Sequence, residues 1–226
     1  MTVDLTALKR RILVRFLIAV PVLGLMLFLP AGTLRYRQAW MFMAVTCFTS
    51  VFIFLYFVRQ DPEFLESRLR TKEKVSRQKW LMLLAIPTFL ATFLLPGFDR
   101  RFGWSSVPVA IEIAAAVLVL AGYLLVFFVF KENRYASRII EIQKDQRVIR
   151  TGPYAVVRHP MYVGTLMMYL SAPIALGSWW ALLPILVWPV IIVFRIRNEE
   201  NILSKELDGY EEYSREVKYR LLPGIW

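Results

Sequence analysis

Long apolar runs alternate with short polar segments along the whole chain. Several runs approach or exceed the roughly 18 residues that a helix needs to cross a bilayer. They lie at residues 12–30, 39–58, 80–95, 108–130, 161–176 and 179–194. The runs are continuous and do not alternate with polar residues, which favours helices over the strands of a membrane barrel. The pattern predicts an all-α integral membrane bundle of about six transmembrane helices.

The last two runs are joined only by Gly177-Ser178, so they are expected to form a C-terminal helical hairpin. The polar stretch after the second arm has helical composition and should extend that helix beyond the membrane. Further back, Pro96-Gly97 predicts the end of the third span. Glu112 is expected in the first turn of the fourth, where the helix dipole stabilises an anion.

The charged segment at residues 59–79 leaves two alternatives open. Asp61-Pro62 is typical of a helix start, and apolar residues after it could form the stripe of a short interfacial helix. A solvated basic loop beside the lipid headgroups fits the same composition equally well.

Composition supports the membrane assignment and limits the classes of binding partner. The 226 residues are 58% hydrophobic and carry a net charge of +11, whereas soluble domains are closer to half apolar. The basic residues lie between the apolar runs, so topology and anionic headgroups explain them better than a nucleic-acid partner. The single cysteine and the single histidine cannot form a cysteine-rich or histidine-rich metal site, and no metal is expected.

Six spans would place both termini on one side of the membrane. The other side would receive residues 31–38, 98–107 and 177–178, whose only basic residues are Arg35, Arg37, Arg100 and Arg101. The first side carries all other Lys and Arg residues and is therefore predicted to be cytoplasmic. We expect one membrane domain over residues 1–226, with four N-terminal spans in 1–130 and a C-terminal core in 131–226.

Two polar clusters stand out on the predicted cytoplasmic side. The first, residues 146–162, reads QRVIRTGPYAVVRHPMY, and Pro160 would begin the fifth span with His159 near its N-cap. The free N–H groups at such a helix start suit a carboxylate. The second cluster, residues 195–200, follows the sixth span, and its Arg195 and Glu199 are spaced to pair on one helical face.

The tight hairpin should bring the two clusters together. Taken separately, each has an ordinary interpretation, as a headgroup contact or a juxtamembrane ion pair. Their convergence exceeds what anchoring needs and predicts one site at the membrane surface. The residues expected to converge are Arg158, His159, Arg195, Glu199 and Glu200.

At these residues the sequence resembles the isoprenylcysteine carboxyl methyltransferase and phospholipid methyltransferase superfamily of integral membrane enzymes. The motifs that carry the resemblance are QRVIRTGPYAVVRHPMYVG, then RNEENIL, then YEEY. The resemblance covers about residues 131–223. The first 130 residues share only their spans and a D-P-E-x-L-E-x-R-like loop at residues 61–68. One departure is Gln146, where the family often has a histidine.

The resemblance implies S-adenosyl-L-methionine as methyl donor, in a cytoplasmic pocket roofed by the C-terminal helices. It implies a cofactor site made of Gln146, Arg147, Val148, Ile149, Tyr154, His159, Pro160, Tyr162 and Glu199. Arg158 could hold the cofactor's carboxylate and Glu199 its ammonium, while the tyrosine rings could face the sulfonium. Arg195 occupies the position where carboxyl-methylating members hold the substrate.

The function expected from this resemblance is methyl transfer to a lipophilic acceptor that enters from the bilayer. A carboxylate, such as that of a prenylcysteine-like or other lipidic acid, needs no base. An amine of a phospholipid would need one, for which Glu200 is the candidate. The predicted catalytic residues are therefore Arg195, Glu199 and Glu200.

Two other functions stay open at this point. One is a membrane reductase that uses NADPH in a similar pocket, although its phosphates would favour basic over acidic residues near Glu199. The other is a scaffold or lipid-binding protein without enzymatic activity, for which the converging polar site would be surplus.

Overall fold

A computed structural model describes residues 4–69, 76–136, 142 and 146–226. Within them lie nine α-helices and one 3-10 turn (Gly152–Ala155), with no strand. The helices are α1 (Leu5–Ala31), α2 (Arg37–Gln60), α3 (Pro62–Arg68), α4 (Ser76–Phe102), α5 (Val109–Glu132), α6 (Pro160–Ala175), α7 (Leu182–Ile185), α8 (Val187–Glu206) and α9 (Tyr210–Glu216). The predicted all-α membrane bundle is confirmed.

Three of the described helices, α1, α2 and α5, are long and apolar enough to cross a membrane. The count of six spans stays a prediction. Parts of two predicted polar segments, residues 70–75, 137–141 and 143–145, lie outside the described residues.

Helix starts agree with the sequence at three places. Asp61 caps α3 by accepting a backbone N–H of the first turn at 2.9 Å, and Pro62 is the first helical residue. Glu112 lies in the first turn of α5. His159 is the N-cap of α6, and Pro160 begins that helix. In each case a polar residue or a proline stands where helix N–H groups lack intrahelical partners.

The short helix α3 decides part of the open question about residues 59–79. Phe64 is only 3% exposed, and its ring lies 5.1 Å from Phe57 and 5.2 Å from Phe130. The guanidinium of Arg68 lies 4.7 Å from the centre of the Phe130 ring. Residues 62–68 are thus helical, and their buried aromatic residue packs on α2 and α5.

The predicted end of the third span at Pro96-Gly97 is wrong, because α4 continues to Phe102. Gly97 lies against α1, where an added Cβ would come within 2.7 Å of the Leu27 carbonyl oxygen and 2.9 Å of Pro30. This glycine permits close packing of two helices and does not stop one. Proline inside a membrane helix is tolerated where neighbouring groups compensate for the lost backbone hydrogen bond.

Polar contacts hold three interhelical connections together, namely α1–α2, α4–α5 and α6–α7. These connections lie at the end of the bundle opposite the two polar clusters. Glu112, 3% exposed, pairs with Arg37 at 2.8 Å and so links the start of α5 to the start of α2. Ser178, in the hairpin turn, donates to the buried carboxylate of Asp99 near the end of α4. The segments that the sequence assigned to one side of the membrane therefore do meet at one end.

The backbones of α5 and α6 lie close together where Gly122 faces Gly164. An added Cβ at Gly164 would lie 2.9 Å from the Gly122 carbonyl oxygen, and one at Gly122 would lie 2.7 Å from that of Gly164. This contact fixes α6 along α5 and places its first residues near the end of α5.

The second arm of the predicted hairpin is interrupted. A turn and the four-residue helix α7 precede α8, and the two helices are separated at Leu186. Helix α8 then continues to Glu206, as the composition after Arg195 predicts. The hairpin itself is present, and its polar extension carries the second cluster.

Candidate functional site

The two polar clusters line one cavity, at the end of the bundle where α6 begins and α8 extends outward. The cavity has a volume of about 110 Å³ and opens at the surface. The predicted site residues that line it are Gln146, Arg147, Val148, Ile149, Tyr154, Arg158, His159, Tyr162, Arg195 and Glu199. Pro160 and Glu200 do not line it.

Two backbone N–H groups at the N-cap end of α6 are already bonded within the protein. The backbone N–H of Arg158 donates to the carbonyl of Tyr219 at 2.9 Å, and that of His159 donates to Arg220 at 3.0 Å. Residues 219–220 therefore run past the start of α6 and use these donors. The expectation that free N–H groups there receive a carboxylate is corrected for these two residues, because the C-terminal segment folds back over them.

Glu200 is the centre of a charged network behind the cavity wall. It accepts from the Nε of Arg158 and the Nε of Arg220, both at 2.8 Å, and it lies 3.2 Å from the Nε2 of His159. Burial raises the pKa of Glu200, but hydrogen bonds from His159 and Arg220 and the charges of His159 and Arg158 outweigh it, so the pKa falls to about 2. Glu200 therefore joins α6, α8 and the C-terminal segment as an anion at neutral pH.

Arg158 is bonded mainly to the protein itself. Besides Glu200, its Nη1 donates to the carbonyls of Ser214 at 3.0 Å and Val217 at 3.1 Å, at the end of α9. A cation at that position satisfies carbonyls that the helix leaves open. These bonds compete with its predicted contact to a cofactor carboxylate. Arg147 also lines the cavity, is exposed, and forms no ion pair within the described ranges.

Glu199 presents the accessible carboxylate of the site. The hydroxyl of Tyr162 donates to Glu199 at 2.9 Å and accepts from the Nε of Arg195 at 3.4 Å. The sequence predicts that Arg195 and Glu199 pair, and the structure places the Tyr162 hydroxyl between them. The side chain of Glu199 is 26% exposed, against 14% for Glu200, so Glu199 remains available to a ligand.

Ten of the twenty described residues that line the cavity were missing from the sequence prediction, among them Asn133, Tyr210 and Tyr213. Tyr213 donates its hydroxyl proton to the carbonyl of Tyr154 at 2.8 Å, and Asn133 donates to the Tyr154 hydroxyl at 2.8 Å. Tyr210 also lines the cavity. The signal for the two α9 tyrosines was the Y-E-E-Y spacing, which puts both rings on one face of a helix. Burial raises the pKa of Tyr213 to about 12, so it stays protonated.

A second cavity, which we call the apolar groove, lies among α4, α5, α6 and α8. Its walls are mostly apolar and include Ile86, Leu90, Val126, Met168 and Ile192. Three residues line both the groove and the polar cavity, namely Met161, Tyr162 and Arg195. A hydrocarbon chain among the helices could therefore place its polar end next to Glu199.

Comparison with known proteins points to membrane methyltransferases. The family model of phospholipid methyltransferases matches residues 111–208, which include most of α5 and all of α6, α7 and α8. The protein-S-isoprenylcysteine O-methyltransferase of Schizosaccharomyces pombe is 26% identical over 143 residues. The resemblance to this superfamily is confirmed. The S. pombe match covers 62% of this chain and 56% of the relative.

Two other kinds of protein are also similar. The nickel-cobalt-cadmium resistance protein NccN of Alcaligenes xylosoxydans xylosoxydans is 27% identical over 106 residues, covering 45% of this chain and 48% of the relative. The 7-dehydrocholesterol reductase of Danio rerio is 36% identical over 101 residues, covering 43% of this chain and 21% of the relative. The matched segments thus span about half of the methyltransferase and NccN, and about a fifth of the reductase.

Proposed function

We propose that this membrane methyltransferase relative uses S-adenosyl-L-methionine to methylate the polar head of a lipophilic acceptor. The observation that carries the proposal is the junction of the two cavities at Met161, Tyr162 and Arg195. One cavity is polar and open, and the other is apolar and lies among the helices. A soluble donor and a lipid acceptor can each enter their own cavity and meet there.

The chemistry of the polar cavity fits this donor. Apolar side chains that include Val148, Ile149 and Ile202 suit a nucleoside base, while Glu199 suits an ammonium group. Arg147, exposed at the cavity, is available for a carboxylate. When bound, S-adenosyl-L-methionine supplies a methyl group activated by its sulfonium.

The residues at the junction orient the acceptor. The guanidinium of Arg195 can hold a carboxylate through two parallel hydrogen bonds, and the Tyr162 hydroxyl fixes Arg195 and Glu199 relative to each other. A carboxylate oxygen forms its bond to the methyl carbon as the carbon–sulfur bond breaks, and no proton moves. The protein would then accelerate the reaction by positioning the carboxylate oxygen against the methyl group of the donor. A lipidic acid, such as a prenylcysteine-like thioether acid, is the acceptor that these residues favour.

An amine acceptor remains the alternative within the same reaction class. It requires a base, and Glu200, with its pKa of about 2 and three cationic or proton-donating partners, is poorly suited. Glu199, which is more exposed, would have to accept the proton. A phospholipid amine would also meet the positive charge of Arg195.

An NADPH-dependent reductase is the second candidate function, supported by the similarity to the sterol reductase. Only one residue of the acidic pair, Glu199, lines the cavity, so the argument from two acids against a phosphate-bearing cofactor is weaker than the sequence suggests. Thermal stabilisation of detergent-solubilised protein by S-adenosylhomocysteine but not by NADPH supports the methyltransferase. Stabilisation by NADPH alone would move the assignment to the reductase.

The acceptor is identified in parallel reactions with radiolabelled S-adenosyl-L-methionine and either a farnesylated cysteine analogue or phosphatidylethanolamine. We expect base-labile counts, as from an ester, on the first acceptor alone. Base-stable counts on phosphatidylethanolamine alone would show N-methylation instead. Glu199→Gln should lower transfer by at least about 100-fold if Glu199 holds the donor, whereas the matched variant Glu206→Gln, on the same helix outside the cavity, should retain it.

A further inference from the structure

Among the described residues that line it, the apolar groove has two cations and no acid. The cations are Arg68, the last residue of α3, and Arg195 on α8. Glu199 lines the polar cavity but not the groove. A lipid tail in the groove would therefore bring its polar head to two positive charges, of which only Arg195 has a role in the function proposed above.

Two contacts hold the guanidinium of Arg68 where the groove and the polar cavity adjoin. It lies 4.7 Å from the centre of the Phe130 ring, which also lines the groove. Its Nη1 donates to the carbonyl of Ala136 at 3.2 Å, and Ala136 lines the polar cavity. This hydrogen bond uses one of the five N–H donors of a guanidinium. A guanidinium stacked on a ring can still bind an anion along the edge of its plane.

The charge of Arg68 also acts on the polar cavity. Burial raises the pKa of the Tyr154 hydroxyl in that cavity, while a hydrogen bond from Asn133 and, to a smaller extent, the positive charge of Arg68 lower it. Arg195 reaches the same cavity through its contact with the Tyr162 hydroxyl. Both cations therefore lie near the place where donor and acceptor are proposed to meet.

We propose that the acidic head of the acceptor binds both Arg68 and Arg195, so that α3 supplies a residue that determines acceptor specificity. This inference rests on the proposed function and narrows its acceptor to a lipid with an anionic head. Two guanidinium groups attract a carboxylate and repel a protonated amine of the same tail.

The test compares two ligands with the same tail, N-acetyl-S-farnesylcysteine and its uncharged primary amide. Each is titrated into detergent-solubilised protein in the presence of S-adenosylhomocysteine. In Arg68→Gln, binding of the acid should weaken about tenfold or more, the loss expected when a hydrogen bond between charged groups is removed. Binding of the amide should change by less than about twofold.

The matched control is Arg15→Gln. Arg15 donates to the carbonyl of Leu69, the residue after Arg68, at 3.3 Å, but it is exposed and does not line the groove. This variant removes the same charge and a contact to the same segment, yet the acid should bind within about twofold of its original affinity. Arg68→Lys keeps the charge and should retain more of the preference for acid over amide than Arg68→Gln does.

Phospholipid headgroups offer Arg68 the same anionic chemistry as the acceptor does. Titrations in a maltoside detergent, which contains no phosphate, and in phosphatidylcholine nanodiscs separate the two sources. A tenfold loss of acid binding in maltoside supports the acceptor site. A loss confined to nanodiscs would assign Arg68 to headgroup binding and overturn the inference.

Four further results would overturn the inference while leaving methyl transfer intact as the proposed function. They are unchanged acid binding in Arg68→Gln, equal losses for acid and amide, an equal loss in Arg15→Gln, and failure of the unmodified protein to prefer the acid. Failure of the unmodified protein to bind S-adenosylhomocysteine would instead contradict the proposed function, and this inference with it.

Discussion

At the scale of single residues, two neighbouring acids on α8 have different environments. Glu199 faces the cavity beside Tyr162, while Glu200 faces Arg158, His159 and Arg220 behind the cavity wall. Successive residues on a helix point about 100° apart, so a pair that looks equivalent in sequence reaches two different surfaces. We therefore expect Glu199 to bind the ligand and Glu200 to anchor the surrounding segments.

Replacing Glu200 by glutamine should destabilise the fold by about 3 kcal/mol, because it leaves buried cations without their anion. The low pKa of Glu200, about 2 against an ordinary 4.5, also sets a pH dependence. Its stabilising effect is complete above pH 4.5 and is lost as the pH falls towards 2.

Melting temperatures in detergent from pH 7 down to pH 2 test this prediction. The unmodified protein should lose more stability over the acid range than Glu200→Gln does. Glu211→Gln is the matched control, since Glu211 is 70% exposed and its contact with Arg215 is 3.8 Å long. Equal melting curves for the unmodified protein and Glu200→Gln would contradict the anchoring role.

At the scale of helices, the contact between α5 and α6 positions the site. Gly122 and Gly164 let the two backbones approach closely, and an added Cβ at Gly164 would meet Val126 at 2.8 Å and the Gly122 carbonyl oxygen at 2.9 Å. Backbone cannot move aside as a flexible side chain can, so the helices must separate. Such a shift would displace His159 and Tyr162 at the start of α6.

Gly164→Ala should therefore lower stability by about 1–3 kcal/mol, the usual cost of overpacking, and weaken donor binding as well. Gly24→Ala in α1 is the control, because its added Cβ would meet only the end of Met43 at 3.7 Å. That control should be neutral or slightly stabilising, since alanine favours helix. Comparable melting temperatures of the two variants in detergent would show that a methyl group fits between α5 and α6 without separating them.

At the scale of the whole molecule, most of the described Lys and Arg residues and the polar cavity lie at one end of the bundle. The start of α1, the end of α5 and the extension of α8 share that end, while Glu112 and Asp99 hold the opposite connections together. The distribution of Lys and Arg predicts that the cavity end is cytoplasmic. This orientation would let a soluble donor reach the cavity from the cytosol.

Cysteine labelling in intact cells tests the orientation. In a Cys47→Ala background, Ser106→Cys should react with a membrane-impermeant maleimide added outside, and Ser204→Cys should react only after permeabilisation. Both serines are exposed, so burial does not confound the result. Labelling of both from outside would place the proposed donor site on the wrong side.

Part of the cavity lining was predictable because its local sequence signals are strong. A proline after a histidine marks the start of α6, Asp61-Pro62 marks that of α3, and the sequence named half of the described residues that line the polar cavity. Helical class and membrane character followed from the length and continuity of the apolar runs, since a bilayer imposes both.

Tertiary structure decided how those residues are used. Pro96-Gly97 looked like a helix end, but only the neighbouring α1 shows that the glycine serves close packing. Arg158 looked free to bind a ligand until the C-terminal segment and α9 supplied its partners. The spacing of residues along a helix fixes which side chains share a face. It does not fix which distant backbone folds back onto that face, because such contacts join parts of the chain far apart in sequence.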